Sequence, residues 1–513
     1  MTDITLPDPN AKDLLIGITG AGLMGRGIAQ VAVQGGCRVK LYDANREAAT
    51  TAVDFLRQMF TRAAEKGQIP AEVVEAIVAR VQVVDAVADL SDCPIVIEAI
   101  AENLEAKHSM FAELDQVCAA DAILASNTSM LSITTIASVC QRPERVAGMH
   151  FFNPVPVMKL VEVIDGLRGD EAVGNVLMDL ARRFGREPVR VSDTPGFIVN
   201  QVGRGYGLEA AHIAAEGAAP FEALDRILRE GCGFRMGPFE LMDLTSLDVT
   251  QPASELLYRQ FFDEPRYRPT PLMRMRYEAG LLGRKTGRGF YDYDAEGNKI
   301  VEPEGRMPHY DERWVWVASE DQRTEIRIKG IVKAAGGVLD ENKAPHPKSL
   351  IVVTPLGEDA TSCATRLGVN AEQTVAIDSL FGIVTRRTVM KTSVTKLGYA
   401  SCALGLFSSK GAKATLIHDT PGFVAQRIIA SIVNIACSVA QSGVAAPEDI
   451  DKAVMLGLAY PKGPLAWGDE IGPRVIVQIL KGMHDCTGDA KYRPSPWLRR
   501  RAQLNVSLLT PEA

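Results

Sequence analysis

Residues 14–43, LLIGITGAGLMGRGIAQVAVQGGCRVKLYD, narrow the available folds more than any other stretch of this 513-residue chain. Leu14–Thr19 is short and apolar, as a buried strand is. Gly20, Gly22 and Gly25 follow in the spacing GxGxxG. A helical apolar pattern comes next (Ile28, Val31, Ala32), then a second strand over Arg38–Tyr42 that ends at Asp43. Each glycine has a physical task in that setting: a tight turn, close approach of backbone to a pyrophosphate, and close packing of helix on strand. The helix N-terminus then turns its partial positive charge towards the phosphates. Asp43 stands 18 residues beyond Gly25, where a carboxylate accepts both ribose hydroxyls and repels a 2′-phosphate. A lone glycine turn is weak evidence; here all the parts occur in order. The segment predicts a Rossmann-type α/β domain that binds NAD rather than NADP, with Gly20, Gly22, Leu23, Met24, Gly25 and Asp43 against the cofactor.

The remaining composition excludes more than it specifies. The length leads us to expect roughly three or four domains. With 46% hydrophobic and 23% charged residues the chain is an ordinary globular one, and a net charge of −7 argues against a nucleic-acid binder. The nine cysteines occur singly, without a CxxC pair, so no metal site and no disulfide framework is expected. The N-terminal MTDITLPDPNAKD lacks a signal pattern, and no apolar run reaches the ~18 residues of a membrane helix. A soluble cytoplasmic protein is expected.

Beyond Asp43, residues 44–83 read as two helices broken at Gly67–Pro70, long enough to form an arm over the site. Strands follow at PIVIEAI (94–100), ILASNTS (123–129), VAGMHFFNP (146–154) and KLVEVID (159–165). Ligands of open α/β sheets sit beyond the carboxyl ends of strands, so Glu102, Ser129 and the residues after Gly148 crowd towards one crevice. A histidine such as His150, between Met and Phe, is on type alone more often packed than catalytic. Glu162, however, lies in an equally apolar strand, where a carboxylate is costly unless paired. The turn in NPVPV folds the two strands back on each other. A paired imidazole and carboxylate fixes the tautomer and stabilises the charged form, which suits a general base.

The chain also repeats itself. DTPGFIVNQ (193–201) returns as DTPGFVAQR (419–427), at an interval of 226 residues. The register continues through Asp225 and Asp451, Gly231 and Gly457, Gly237-Pro238 and Gly463-Pro464, and Asp243 and Asp469. Two copies of one helical domain are predicted. Thr194-Pro195-Gly196 reads as a helix start, with a capping hydroxyl and proline in the first turn. The copies diverge where chemistry is expected, because Asn200 becomes Gln426. Residues 348–416 read as a truncated, degenerate α/β unit without the His–Glu pair, and 295–347 as a linker in which Trp314 and Trp316 mark a short strand or edge contact. The expected boundaries are therefore 14–194, 195–294, 295–347, 348–416 and 417–513.

Together GAGLMG, IEAIAENLEAK (97–107), SNTSMLSIT (126–134), AGMHFFNPVPVMKLVEV (147–163), DTPGFIVN (193–200), GPFELMDL (237–244) and GRKTGRGFYDY (283–293) resemble the 3-hydroxyacyl-CoA dehydrogenase family, in that family's order, across roughly residues 14–294. The resemblance implies reversible NAD-linked oxidation of a (3S)-3-hydroxyacyl-CoA. It makes His150 the base for the 3-hydroxyl proton and Glu162 its support. Ser129 and Asn200 are placed on the substrate oxygens, and Glu102, Lys107, Ser129 and Asn153 against the cofactor. Lys66 is a weaker candidate for a CoA phosphate, since surface lysines usually do nothing specific. Thr19, Leu23, Gln201 (usually Arg) and Ser246 (commonly Gly) depart from the pattern. The tandem arrangement is similar to monofunctional bacterial members, including those acting on 3-hydroxyadipyl-CoA in phenylacetate-type aromatic-acid breakdown. Members with two helical copies pack them within one chain, and further homo-oligomerisation is open. The alternatives are a short-chain 3-hydroxybutyryl-CoA enzyme of β-oxidation type and, from another class, a non-catalytic NAD-binding relative. A sugar-acid dehydrogenase would rely on a lysine base and fits GMHFFNP poorly.

Overall fold

The structure is a computed structural model that describes residues 6–301 and 303–512. The chain divides into two compact units, Met1–Asn200 with Ser442–Leu458, and Gln201–Gln441 with Ala459–Ala513.

The first unit is built on eight strands: β1 (Leu15–Thr19), β2 (Arg38–Tyr42), β3 (Val81–Val84), β4 (Ile95–Glu98), β5 (Ile123–Ser126), β6 (Val146–Phe151), β7 (Leu160–Asp165) and β8 (Glu187–Ser192). Their order is β3-β2-β1-β4-β5-β6-β7-β8. All neighbours are parallel except β6 and β7, which pair antiparallel with His150 opposite Glu162. The order reverses between β1 and β4, the switch point where ligands of such sheets bind. Apolar side chains fill both faces, with Ile16, Ile18, Ile95 and Ile97 fully buried, as a parallel sheet covered on both sides requires. The segment read as long enough for an arm is anchored on the sheet. Its helices Arg46–Glu65 and Val74–Val78 bury Leu56, Phe60, Val74 and Val78 in the sheet's core. Residues 81–83, read as the end of a helix, lie in β3 instead, where the valines favour a strand and pairing with β2 completes it.

The second unit holds a six-stranded sheet: β9 (Trp314–Ala318), β10 (Val338–Leu339), β11 (Leu350–Val353), β12 (Thr374–Ile377), β13 (Arg386–Lys391) and β14 (Lys413–Ile417), in the order β10-β9-β11-β12-β13-β14. Only β12 and β13 pair antiparallel. The segment 295–347 is therefore not simply a linker. Val315 and Val317 point into the core while Trp314 and Trp316 lie on the other face, and helix Gln322–Ala334 joins β9 to β10. This is a strand–helix–strand unit like the first, with Ser319-Glu320-Asp321 standing where Gly20-Ala21-Gly22 stand.

The repeated DTPGF motif does the same work in both units. Asp193 accepts hydrogen bonds from the N–H groups of Ile133 and Thr134, and Asp419 from those of Ala360 and Thr361. The motif is not a helix start as expected, because the helices begin only at Val199 and Ala425. Between Asp and helix, Gly196 and Phe197 adopt φ of 71° and 52°, and Gly422 and Phe423 adopt 73° and 52°. A bulky residue in the left-handed region is uncommon, and here both copies place their phenylalanine in it. Ser246 also has a positive φ, of 69°, which explains why a glycine suits that position.

Each helical copy also completes the sheet of the other half. In the first unit the Ser192 N–H at the end of β8 donates to the Val444 carbonyl at 2.8 Å. In the second, the His418 N–H after β14 donates to the Ala218 carbonyl at 2.8 Å. These two bonds correspond residue for residue under the 226-residue interval.

Within the second unit, an ideal Cβ on Gly205 would meet the Ile432 backbone at 3.1 Å. Nearby, Arg427, 1% exposed, bonds Glu209 and both oxygens of Glu216. Lys491 (3.2 Å) and the Tyr492 hydroxyl (2.7 Å) also bond Glu209. Burial alone would push the Glu209 carboxyl up, but Lys491 and Arg427 outweigh it and hold the group far below the usual carboxylate range. A carboxyl depressed on folding contributes stability above its unfolded value of about 4.3 and loses it as pH falls through the folded value. Thermal melts should therefore show stability dropping as pH falls below about 4.3. A flat Tm through that window would argue against the assignment.

Candidate active site

The glycine turn between β1 and helix Leu23–Gln34 fits a dinucleotide. Gly20 has φ of 95°, and a Cβ there would lie 2.5 Å from the Ala99 carbonyl oxygen. A Cβ on Gly25 would lie 1.7 Å from the Gly20 oxygen, whereas one on Gly22 meets nothing within 4 Å. The three glycines thus divide into a turn, an open approach and a close contact. No side chain caps this helix and no acid occupies its first turn, so its N–H groups and partial positive charge are available to phosphate. Asp43 accepts the Ala21 N–H at 2.7 Å, which brings its carboxylate beside the turn. Leu23 is exposed and Met24 half-buried. Gly25→Ala drives a methyl into the Gly20 carbonyl, so the turn must shift, and an NAD titration should show about 10–100-fold weaker binding. Unchanged binding would contradict the packing.

Beyond β4 and β5 lies a polar cluster whose root the sequence reading missed. Glu98, fully buried at the end of β4, accepts from Lys107 (2.6 Å), Ser126 Oγ (2.6 Å) and the Ile100 N–H (2.7 Å). The signal was present: a carboxylate closing an apolar strand is costly unless paired, the same argument that singled out Glu162. Lys107 is 1% exposed and also lies 3.5 Å from Glu102, so its ammonium supports these two acids. Glu102 gathers the N–H groups of Ser129 and Met130 and the Thr128 and Ser129 hydroxyls. Partial burial would push the Glu102 carboxyl up, but Lys107 and these donors leave it below the usual range. Ser129 is thereby fixed at the carboxyl end of β5.

The antiparallel β6–β7 pair brings the two candidate reacting groups together. His150 Nδ1 lies 2.7 Å from Glu162 Oε2, with Glu162 fully buried and His150 5% exposed. The other carboxylate oxygen accepts the N–H groups of Ile198 and Val199, each at 3.0 Å. This is what the left-handed Gly196-Phe197 turn achieves: it aims two backbone donors at one buried acid. Three hydrogen bonds satisfy the carboxylate, as a buried charge requires. With Nδ1 occupied, Nε2 is the nitrogen left for proton exchange. Phe152 and Phe197 flank the imidazole at 4.3 and 5.9 Å between centroids. Asn200, one residue past Val199, donates through Nδ2 to the Ser129 carbonyl at 3.2 Å. The structure therefore forms two hydrogen-bonded groups, His150–Glu162 and Asn200–Ser129–Glu102, joined through the backbone at Val199 and Asn200. Asn153 is an exposed residue of the loop after β6, and Lys66 is the exposed residue ending helix Arg46–Glu65, without an ion pair among the described residues.

The second unit keeps the frame of this site without its chemistry. Asp378 stands where His150 stands and Thr388 where Glu162 stands, joined by the Asp378 N–H to Thr388 carbonyl bond at 3.0 Å. Gln426 Nε2 reaches the Pro355 carbonyl at 3.4 Å, as Asn200 reaches Ser129, and bonds Asp378 at 3.0 Å. Burial pushes the Asp378 carboxyl up to about 6. A fully buried amide–carboxyl contact holds this core together, and no imidazole is present in it.

Comparison with known proteins agrees with these features. The family model "3-hydroxyacyl-CoA dehydrogenase, NAD binding domain" matches residues 15–194, and the model "3-hydroxyacyl-CoA dehydrogenase, C-terminal domain" matches residues 196–293 and again 422–507. The chain is 37% identical over 489 residues to a 3-hydroxyadipyl-CoA dehydrogenase of Escherichia coli (strain K12), covering 95% of this chain and 97% of that one. A probable 3-hydroxybutyryl-CoA dehydrogenase of Bacillus subtilis (strain 168) is 46% identical over 277 residues, 54% of this chain and 96% of its own. The crystal structure of a 3-hydroxybutyryl-CoA dehydrogenase from Escherichia coli K12 aligns with a TM-score of 0.83 at 35% identity, over 96% of this chain and 99% of that one.

Proposed function

The chain belongs to the 3-hydroxyacyl-CoA dehydrogenase family, and on that premise we propose that it oxidises a (3S)-3-hydroxyacyl-CoA reversibly to the 3-oxoacyl-CoA, with 3-hydroxyadipyl-CoA as its substrate and a place in aromatic-acid or fatty-acid breakdown. The observation that carries the reading is the Glu162–His150 bond of 2.7 Å at the carboxyl end of β6. NAD, when bound, supplies the hydride acceptor. The chain's own residues do the rest. His150 Nε2 takes the 3-hydroxyl proton, and Glu162 holds the ring's orientation and tautomer and stabilises the imidazolium that results. Ser129 and Asn200 hydrogen-bond the substrate oxygens, which sets the reacting carbon in place. Asp43 selects NAD by accepting ribose hydroxyls and repelling a 2′-phosphate.

The adipyl assignment draws support from similarity to a 3-hydroxyadipyl-CoA dehydrogenase over nearly the whole chain, while similarity to the 3-hydroxybutyryl-CoA dehydrogenase of known structure favours a four-carbon acyl group. A panel of 3-oxoacyl-CoA substrates, with and without a terminal carboxylate, separates them. The highest kcat/KM is expected for the six-carbon dicarboxylic member. A preference for acetoacetyl-CoA would establish the butyryl reading instead.

The two helical copies, on this proposal, pack on each other in place of a second subunit, and the protein works in the cytoplasm. The close Gly205–Ile432 approach and the Arg427–Glu209 pair support the packing, and no helix among the described residues is long and apolar enough to cross a membrane. A chain truncated from about residue 340 should aggregate or self-associate; a soluble, monomeric and fully active remainder would refute the packing proposal.

A further inference from the structure

Helix Pro447–Leu458 belongs to the second helical copy by sequence, yet it lies in the first unit. It is secured there by the Ser192–Val444 backbone bond and by an ion pair of 3.5 Å between Lys452 and Glu187. Near its end, Gly457 sits against the elements that hold the His150–Glu162 pair. An ideal Cβ on Gly457 would lie 2.9 Å from Leu160 Cδ2 and 3.0 Å from Val199 Cγ2. Neither neighbour has free space to retreat into, since Leu160 is fully buried and Val199 is 3% exposed, and a β-branched valine is stiff about χ1.

These two residues are where Glu162 gets its orientation. Leu160 precedes Glu162 by two on β7, so both side chains occupy one face of the strand. The Val199 N–H is one of the two donors fixing Glu162 Oε1. Asn200, which reaches Ser129, is the next residue. The register partner of Gly457 in the first copy, Gly231, is under no such constraint: the nearest atom to its Cβ is Gly382 Cα at an ordinary 3.5 Å.

We propose that Gly457 is a positioning residue for the reaction. By lacking a side chain it lets the second copy's helix close on Leu160 and Val199 and hold the Glu162 carboxylate on the His150 ring. The second copy is then part of the catalytic apparatus of the first half. The proposal rests on the dehydrogenase reading of the site.

Steady-state NADH oxidation by the full-length protein with acetoacetyl-CoA tests it, using Gly457→Ala, Gly457→Val and Gly231→Ala, each also in a Glu162→Gln background. Misplacement of the pair should lower kcat about 10-fold or more in Gly457→Val, less in Gly457→Ala, with KM for NADH little changed and Gly231→Ala indistinguishable from wild type. Because the effect passes through Glu162, Gly457→Val should add less than about threefold once Glu162 is already glutamine. Wild-type kcat in Gly457→Val, or an equal fold-loss in both backgrounds, overturns the proposal. If Gly457→Val does not fold, the same comparison with Gly457→Ala decides. A wild type inactive with both acetoacetyl-CoA and 3-oxoadipyl-CoA would overturn the dehydrogenase reading and this inference with it, whereas an active wild type indifferent to Gly457 overturns this inference alone.

Discussion

His150→Gln should lower kcat by about 10²–10⁴-fold, the range for a lost general base, while NAD binding stays essentially unchanged. Glutamine is the informative replacement because its amide can still donate to Glu162 Oε2, so the buried carboxylate is not stranded. The imidazole lies on β6, while the glycine turn that receives the dinucleotide lies between β1 and its helix, so the two functions are separable. Stopped-time NADH assays and a fluorescence titration of NAD measure them independently. Turnover within about twofold of wild type would remove His150 from the proton transfer, since even a weak general base accounts for more than that.

Arg427→Met should cost about 3–5 kcal/mol of stability, the range for breaking a buried ion pair from one side. Arg427 and Glu209 are 1% and 7% exposed, so water cannot replace the lost partner, and methionine supplies volume without charge. Lys491 still bonds Glu209, which favours the lower end of that range. Adding Glu209→Gln should recover part of the loss by removing the stranded charge. Urea unfolding of the single and double variants reads this directly. The pair is also one-sided: the register places Gln201 opposite Arg427 and Ile435 opposite Glu209 between the copies. Each copy therefore carries one half of a contact that two identical copies would have formed twice. A Cm equal to wild type in Arg427→Met would show that the network contributes nothing net.

Much of the first half was legible because its signals are local. The glycine spacing, the terminal Asp43 and the strand endings all state physical requirements that a single segment meets. Glu162 was legible for another reason, since a carboxylate in an apolar strand demands a partner and the NPVPV turn pointed to His150. The same demand at Glu98 passed unnoticed, and with it the buried duty of Lys107. β3, β8 and β10 were hidden because short strands gain their structure from neighbours rather than from their own pattern. The placement of helix Pro447–Leu458 against β7 and β8 could not be read at all. Nothing in its period distinguishes packing on its own copy from packing on the other half's sheet. Likewise DTPGF announced itself by repetition, but its left-handed Phe197 and Phe423 turn on tertiary hydrogen bonds to Glu162 and on the capping of distant helices by Asp193 and Asp419.

The most direct test of the central claim is the NADH absorbance of a solution of the pure protein on addition of 3-oxoadipyl-CoA and, separately, of acetoacetyl-CoA. The band should decay, and one (3S)-3-hydroxyacyl-CoA should appear for each NADH consumed. A band that stays flat with both, with NAD nonetheless bound, would show that the crevice holds a dinucleotide without performing hydride chemistry.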